Sequence, residues 1–213
     1  VPSLGRPRAK GPSTSGLTTE EDILVAAGRL FCASGYGSTS THRIAAAAGI
    51  SQATMYHYFD GKHAILLRLL LDTVRPSVEY AERLAASSEP AAVRLRALCE
   101  YDVRLLLAGP DNTGSLYLLP ELGDERFDDF HRERARLQDV YRALVAEVLD
   151  LDVAAARAPA ALVFGLVESV ILRRRTEGGA QGGAEAGVDA DEVAAAIGEA
   201  VLRVLGLPGP VAG

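Results

Sequence analysis

Residues 51–59 read Ser-Gln-Ala-Thr-Met-Tyr-His-Tyr-Phe, and most of these side chains suit one kind of chemistry. Wound as a helix, Met55 and Phe59 are four apart and turn together towards a core. Gln52, Ala53, Thr54, Tyr56, His57 and Tyr58 fall on the opposite arc. A Gln amide can pair bidentately with adenine, and Ala or Thr can touch the methyl of thymine. Tyr and Thr hydroxyls reach phosphate oxygens. This is the chemistry of reading a duplex groove, with no covalent bond made or broken. A plain solvent face on a Gly-broken helix pair is the other reading, but two tyrosines beside a histidine fit it less well.

The elements that must position these residues are short and sharply punctuated. A helix starting at Thr39 or Ser40 buries Ile44, Ala45 and Ala48 and stops at Gly49. Gly49 supplies the left-handed backbone of a tight turn, Ile50 plugs the space between helices, and Ser51 caps the next helix. That is helix-turn-helix geometry. Upstream, Thr18-Thr19-Glu20-Glu21 is a capping box for a helix carrying Ile23, Ala27, Leu30 and Phe31 on one face and ending at Gly35. Downstream, Asp60 caps a helix from Lys62 to about Val74, and Pro76–Ala86 reads as another. Pro90–Ala108, Asp124–Leu149 and Ala158–Arg175 follow, and Asp189 with Glu192 opens a final helix ending at Gly206. No strand pattern or internal repeat interrupts them. The expected fold class is all-α.

Composition sets the outer bounds. Of 213 residues 48% are hydrophobic, enough for a substantial core, which excludes a disordered chain or a disulfide-stapled miniprotein. Two cysteines, Cys32 and Cys99, cannot build a disulfide framework or a four-thiolate zinc site. The four histidines show no metal-ligand pattern, and neither a metal nor a cofactor is expected. The longest nearly apolar run, Ala160–Leu172, is too short to span a bilayer, and the N-terminus shows no signal-peptide pattern. A cytoplasmic protein with no membrane partner is expected.

The net charge of −6 is unevenly spread: residues 1–75 carry +3 and residues 76–213 carry −9. A basic part facing nucleic acid, joined to an acidic body, accounts for that asymmetry, as does ordinary fluctuation. Within the Gly/Pro/Ser-rich arm, Gly5-Arg6-Pro7-Arg8 resembles an AT-hook core, in which Arg6 and Arg8 would lie in a narrow minor groove; a solvated tail is the alternative.

In the acidic part, Cys99, Tyr101, Asp102, Arg104, Tyr117, Phe127 and Tyr141 offer apolar surface with a few polar handles. That suits a small amphipathic or aromatic ligand, although each also suits an ordinary core or surface position. The helix Ala158–Leu172 is apolar nearly all round. Pairing it and the final helix, Asp189–Leu205, with those of a second copy would bury it in a four-helix bundle; burial inside one subunit is the alternative.

Gly35-Tyr36, Thr39-Ser40, Ile44-Ala45, Ala48-Gly49-Ile50-Ser51, Thr54-Met55-Tyr56, Tyr58-Phe59 and Lys62 together resemble the DNA-binding domain of the tetracycline-repressor (TetR) family. The resemblance covers about residues 19–68. It implies a homodimer of nine- or ten-helix subunits with an Ω-shaped outline. It further implies a one-component repressor that leaves a palindromic double-stranded DNA operator when a small-molecule effector binds. The corresponding domains are a flexible basic arm 1–17, a helix-turn-helix domain 18–62, a ligand-binding and dimerisation domain 63–206, and a flexible tail 207–213. By the same resemblance Thr39, Ser40, Thr41 and His42 would meet phosphates and sometimes bases, Gln52–Phe59 would be the recognition helix, and Lys62 would hold a phosphate. Relatives often have Arg-Asp at positions 42 and 43, where this chain has His42-Arg43, and Lys at position 52, where it has Gln52. The contact at His42 is therefore open, and sequence preference does not carry over.

Three other classes compete, one of them a purely structural helical interaction module, which leaves Gln52–Tyr58 without a purpose. A helical enzyme would need a catalytic motif, and no phosphate-binding loop, nucleophile elbow or His-Glu-x-x-His is present, so an enzyme is not expected. A thiol redox sensor would use Cys32 and Cys99, although Cys32 lies among core residues of the first helix.

Overall fold

Helix α1, Thr19–Ser34, begins as its capping box dictates. The Thr18 hydroxyl accepts from the Glu21 amide, and the Glu21 carboxylate accepts from the Thr18 N–H at 2.7 Å. The computed structural model describes residues 16–178 and 189–207. The arm with Arg6 and Arg8, most of the expected C-terminal tail and the Gly/Ala-rich stretch 179–188 lie outside the described residues. Among the described residues the chain forms α-helices and 3-10 turns only.

Helices α2 (Thr41–Ala47) and α3 (Gln52–Tyr56) meet at Gly49, whose φ of 69° is the left-handed conformation the turn demands. Ile23, Phe31, Ile44, Ile50, Met55 and Phe59 close the core of this head. At roughly 1.5–3 kcal/mol for each fully buried large apolar side chain, that cluster fixes the turn.

Helix α4 runs unbroken from Lys62 to Ala85 with Pro76 inside it, where two helices were expected. An internal Pro costs about 3 kcal/mol through its missing N–H and its ring. Leu70, Leu71 and Val74 before it, and Val78 and Ala81 after it, are all buried, and their burial outweighs that cost. One rigid element therefore connects the head to the body.

Helix α5 (Ala91–Leu107) leads into three 3-10 turns at Thr113–Leu118, Pro120–Gly123 and Glu125–Phe127, which bury Leu116, Leu122 and Phe127. Helices α6 (Asp128–Leu149), α7 (Arg157–Gly178) and α8 (Ala190–Val204) complete the body. Asp124, expected to begin α6, instead caps the turn before it, and Arg126 donates to its carboxylate. Val163, Phe164, Val167, Val170 and Ile171 of α7 are buried within the subunit, so much of that helix needs no second copy to cover it. Leu162 and Leu172 of α7 and Val204 of α8 stay exposed at 62%, 57% and 52%. Among the described residues no helix is long and apolar enough to cross a membrane.

Candidate nucleic-acid interface and ligand cavity

The head presents its polar residues as one hydrogen-bonded surface. Ser40 caps α2, accepting from Arg43 N, and Ser51 caps α3, accepting from Thr54 N. Gln52 Nε2 donates to Thr41 Oγ1 at 3.0 Å, and Thr41 Oγ1 lies 3.4 Å from the Tyr56 hydroxyl. These bonds join the second and third helices across their exposed edges and hold the Gln amide in one orientation. Gln52, Ala53, Tyr56, His57, Tyr58 and His42 are exposed, and Thr54 and Thr41 are half-buried. Tyr56 and Tyr58, at 49% and 38%, are large exposed rings. The helix ends at Tyr56, so His57 and Tyr58 stand on the turn beyond it, with the Tyr58 amide still bonded back to Met55 O at 3.0 Å.

Two expected contacts have different surroundings. Thr39 is only 2% exposed, and its hydroxyl donates to Gly35 O at 2.9 Å, so its side chain closes the end of α1 and faces away from solvent. Lys62 donates to Tyr36 O at 2.9 Å and Thr39 O at 3.3 Å, and its ammonium stands 4.3 Å from the Tyr36 ring centre. Two of its three N–H groups thus fasten α4 to the loop before α2, leaving one for an external anion.

The body contains a cleft and a smaller void that share three wall residues. The cleft, about 330 Å³, lies between α6 and α7 and is bounded by Arg134, Tyr141, Arg142, Arg157, Phe164 and Glu168, among others. The void, about 20 Å³, adjoins it and is lined by Thr73, Ser77, Asp102, Tyr117, Arg134, Phe164 and Glu168, among others. Thr73 and Tyr117 hydroxyls meet at 2.7 Å, and Tyr141 donates to Asp102 Oδ2 at 2.8 Å. Asp102 Oδ1 is buried without any hydrogen-bond partner. Burial raises the Asp102 pKa to about 6, against the pull of the Ser77 and Tyr141 hydroxyls, with Glu168 adding a smaller upward push. Burial also lifts Tyr117 to about 12 and Tyr141 well above its ordinary value.

Of the seven residues expected around a ligand, Asp102 and Tyr117 line the void and Tyr141 lines the cleft. Phe127 and Cys99 line neither and pack in the core, at 1% and 0% exposure. Burial pushes the Cys99 thiol pKa up, so Cys99 itself offers no reactive thiolate. Tyr101 stacks on Tyr80 with ring centres 4.3 Å apart. Arg104 sits on the surface, donating to Asp191 at 2.5 Å, which ties α5 to α8. Arg134, Phe164 and Glu168 escaped sequence reasoning because an Arg and a Glu far apart in sequence look like two solvated charges. Among the described residues no cluster of His, Cys, Asp and Glu could hold a metal ion.

Residues 23–69 match the family model described as bacterial regulatory proteins, tetR family. AmtR of Mycobacterium smegmatis is 45% identical, with a TM-score of 0.80 over 93% of this chain and 91% of that one. A TetR-family transcriptional regulator from Bordetella parapertussis is 21% identical, with a TM-score of 0.69 over 86% and 93%. AibR, solved in complex with isovaleryl coenzyme A and operator DNA, is 18% identical, with a TM-score of 0.66 over 86% and 97%, a likeness of fold. A comparison with curated proteins gives no match.

Proposed function

The chain belongs to the tetR family of bacterial regulatory proteins, and from that premise we propose that it is a homodimeric repressor that leaves a palindromic operator when a small molecule binds its body. The observation that carries the DNA-binding reading is the exposed, hydrogen-bonded set Gln52–Thr41–Tyr56 on a capped helix-turn-helix. Gln52 is the adenine reader, Ala53 and Thr54 meet thymine methyls, and Thr41, Tyr56 and Tyr58 bind phosphates. Ser40, His42, His57 and Lys62 add contacts at the edges, and Thr39 acts through the backbone it holds.

Leu162, Leu172 and Val204 form the apolar part of the dimer face, which pairs α7 and α8 of one subunit with those of its partner. The dimer sets two recognition helices about 34–36 Å apart in successive major grooves. Helix α4 joins both halves, since Lys62 touches the head while Thr73 and Ser77 line the void. An effector held more tightly by one tilt of α4 than by another shifts the spacing of the readers, and only that difference in affinity can drive release.

Selection of bound sites from a random duplex library tests this reading, followed by affinity for the winning sequence across salt concentrations. Enrichment of a palindrome, lost on Tyr56→Ala or Gln52→Ala, supports it. No enrichment at low salt, with or without candidate ligands, overturns it.

A further inference from the structure

The Arg134 guanidinium occupies a site with the chemistry of a receptor. Its central carbon lies 4.9 Å from the Tyr117 ring centre, 5.3 Å from that of Phe164 and 5.9 Å from that of Phe130. Both Glu168 oxygens accept from it, at 2.5 and 3.2 Å, and the two side chains are only 21% and 27% exposed. Aromatic faces around a cation, closed by a carboxylate, are how proteins hold organic ammonium and guanidinium groups. Lining the same void is a second carboxylate, Asp102, 3% exposed, whose Oδ1 meets no donor.

We propose that Arg134 is a built-in plug in a cation-binding box, and that the effector is a small molecule whose protonated N–H head, an ammonium, amidinium or guanidinium, displaces it. The proposal rests on the reading that the body binds an effector. Arg134, Phe164 and Glu168 wall both cleft and void, so the guanidinium stands where the two meet. The void holds about one water as it stands, too little for a head group unless Arg134 swings out and adds its own space. The vacated box then offers Glu168 and Asp102 to the head, with Thr73 and Ser77 hydroxyls beside them. An apolar body follows into the cleft, against Ala160 and Phe164.

An anionic effector is the competing class, because Arg134, Arg142 and Arg157 line the cleft. Arg134 is already held by Glu168 and Arg142 lies 3.1 Å from Asp139, which leaves Arg157 as the cleft arginine with no ion pair among the described residues. An anion reaching inward would meet Glu168 and then Asp102, and it would leave Oδ1 still without a donor. The depth of the site therefore selects a cation.

A tethered plug lowers apparent affinity by the fraction of time it fills the box, so removing it should tighten binding. Calorimetric titration of the full chain with benzamidinium, and with benzoate as its shape-matched anion, reads this directly. Arg134→Met should bind benzamidinium at least about tenfold tighter than the natural chain, whereas Glu168→Gln and Asp102→Asn should bind at least about tenfold weaker. Benzoate should not compete. Equal or weaker binding by Arg134→Met, or preference for benzoate, overturns the proposal. If circular dichroism shows Arg134→Met unfolded, the natural chain against Asp102→Asn decides, and equal affinity overturns it.

Fluorescence anisotropy of the selected operator, run in parallel, separates the two levels. Benzamidinium bound in the expected pattern with operator retained upholds the box and refutes the effector reading. No benzamidinium binding by any variant, with operator affinity intact, overturns the box and leaves the DNA-binding reading standing.

Discussion

The Lys62 ammonium stands 4.3 Å from the Tyr36 ring centre and donates to the Tyr36 carbonyl oxygen at 2.9 Å, binding the first turn of α4 to the loop between α1 and α2. The Tyr36 ring in turn packs 5.1 Å from that of Phe31 in the head core. One cation thus couples the helix that spans the body to the surface that would lie on DNA. Lys62→Met should lower stability by about 1–3 kcal/mol in urea denaturation, since it removes charge-assisted bonds and a cation–π contact. If the third N–H also neutralises a phosphate, the slope of log affinity against log salt should fall by about 0.9 as well. Stability loss with an unchanged slope would make Lys62 a fastener alone.

Gln52 and Tyr56 share Thr41 as a partner, so their substitutions should not be independent. Gln52→Ala should cost about 1–3 kcal/mol of operator affinity and relax preference at a single base pair. Tyr56→Phe removes only the hydroxyl and should weaken all sequences alike. Binding of a panel of single-base operator variants checks both. A uniform loss from Gln52→Ala would place Gln52 on the backbone and not on a base.

Gly114, in the first 3-10 turn, is fixed by a close approach. A Cβ there would meet Ile171 Cγ1 at 2.8 Å and Leu106 Cδ2 at 3.2 Å, while the Asn112 amide donates to Ile171 O at 2.8 Å nearby. Both neighbours are buried, so neither yields easily. Gly114→Ala should destabilise by about 1–3 kcal/mol, read as a lower denaturant midpoint at unchanged m. Unchanged stability would mean that the turn can lift away from α7.

The elements written in local chemistry were legible. Thr18, Ser40 and Ser51 cap their helices and Gly49 makes its turn, because caps and left-handed glycines act within four residues. Pro76 misled for the same reason: its local cost is real, and burial on both sides of it comes from helices distant in sequence. The family resemblance implies a phosphate or base contact for Thr39, whose hydroxyl closes the end of α1. The cavity was half legible. Asp102, Tyr117 and Tyr141 stood out as polar groups in apolar surroundings. The pairing of Arg134 with Glu168 spans 34 residues, and no periodicity announces it.

Asp102 should leave a signature in the pH dependence of stability. It lies among Ser77 of α4, Cys99 on its own helix, Tyr141 of α6, and Arg134 and Glu168 at the cavity wall. Its pKa is raised from 3.8 to about 6, chiefly by burial, so the folded protein holds that proton more tightly than the unfolded chain. The resulting stabilisation is fully present below pH 3.8 and is lost as pH rises through about 6. Across that window it amounts to about 3 kcal/mol at most. Asp124, lowered to about 2 by its bonds to Arg126, and Glu21, lowered by Thr18, act in the opposite sense, losing stability as pH falls. Subtracting the curve of Asp102→Asn from that of the natural chain removes those contributions, because the variant keeps them. The difference should favour the natural chain progressively from pH 7 towards pH 4. A difference flat with pH would show that Asp102 stays ionised in the fold, with a donor supplied to Oδ1 by something other than the side chains around it.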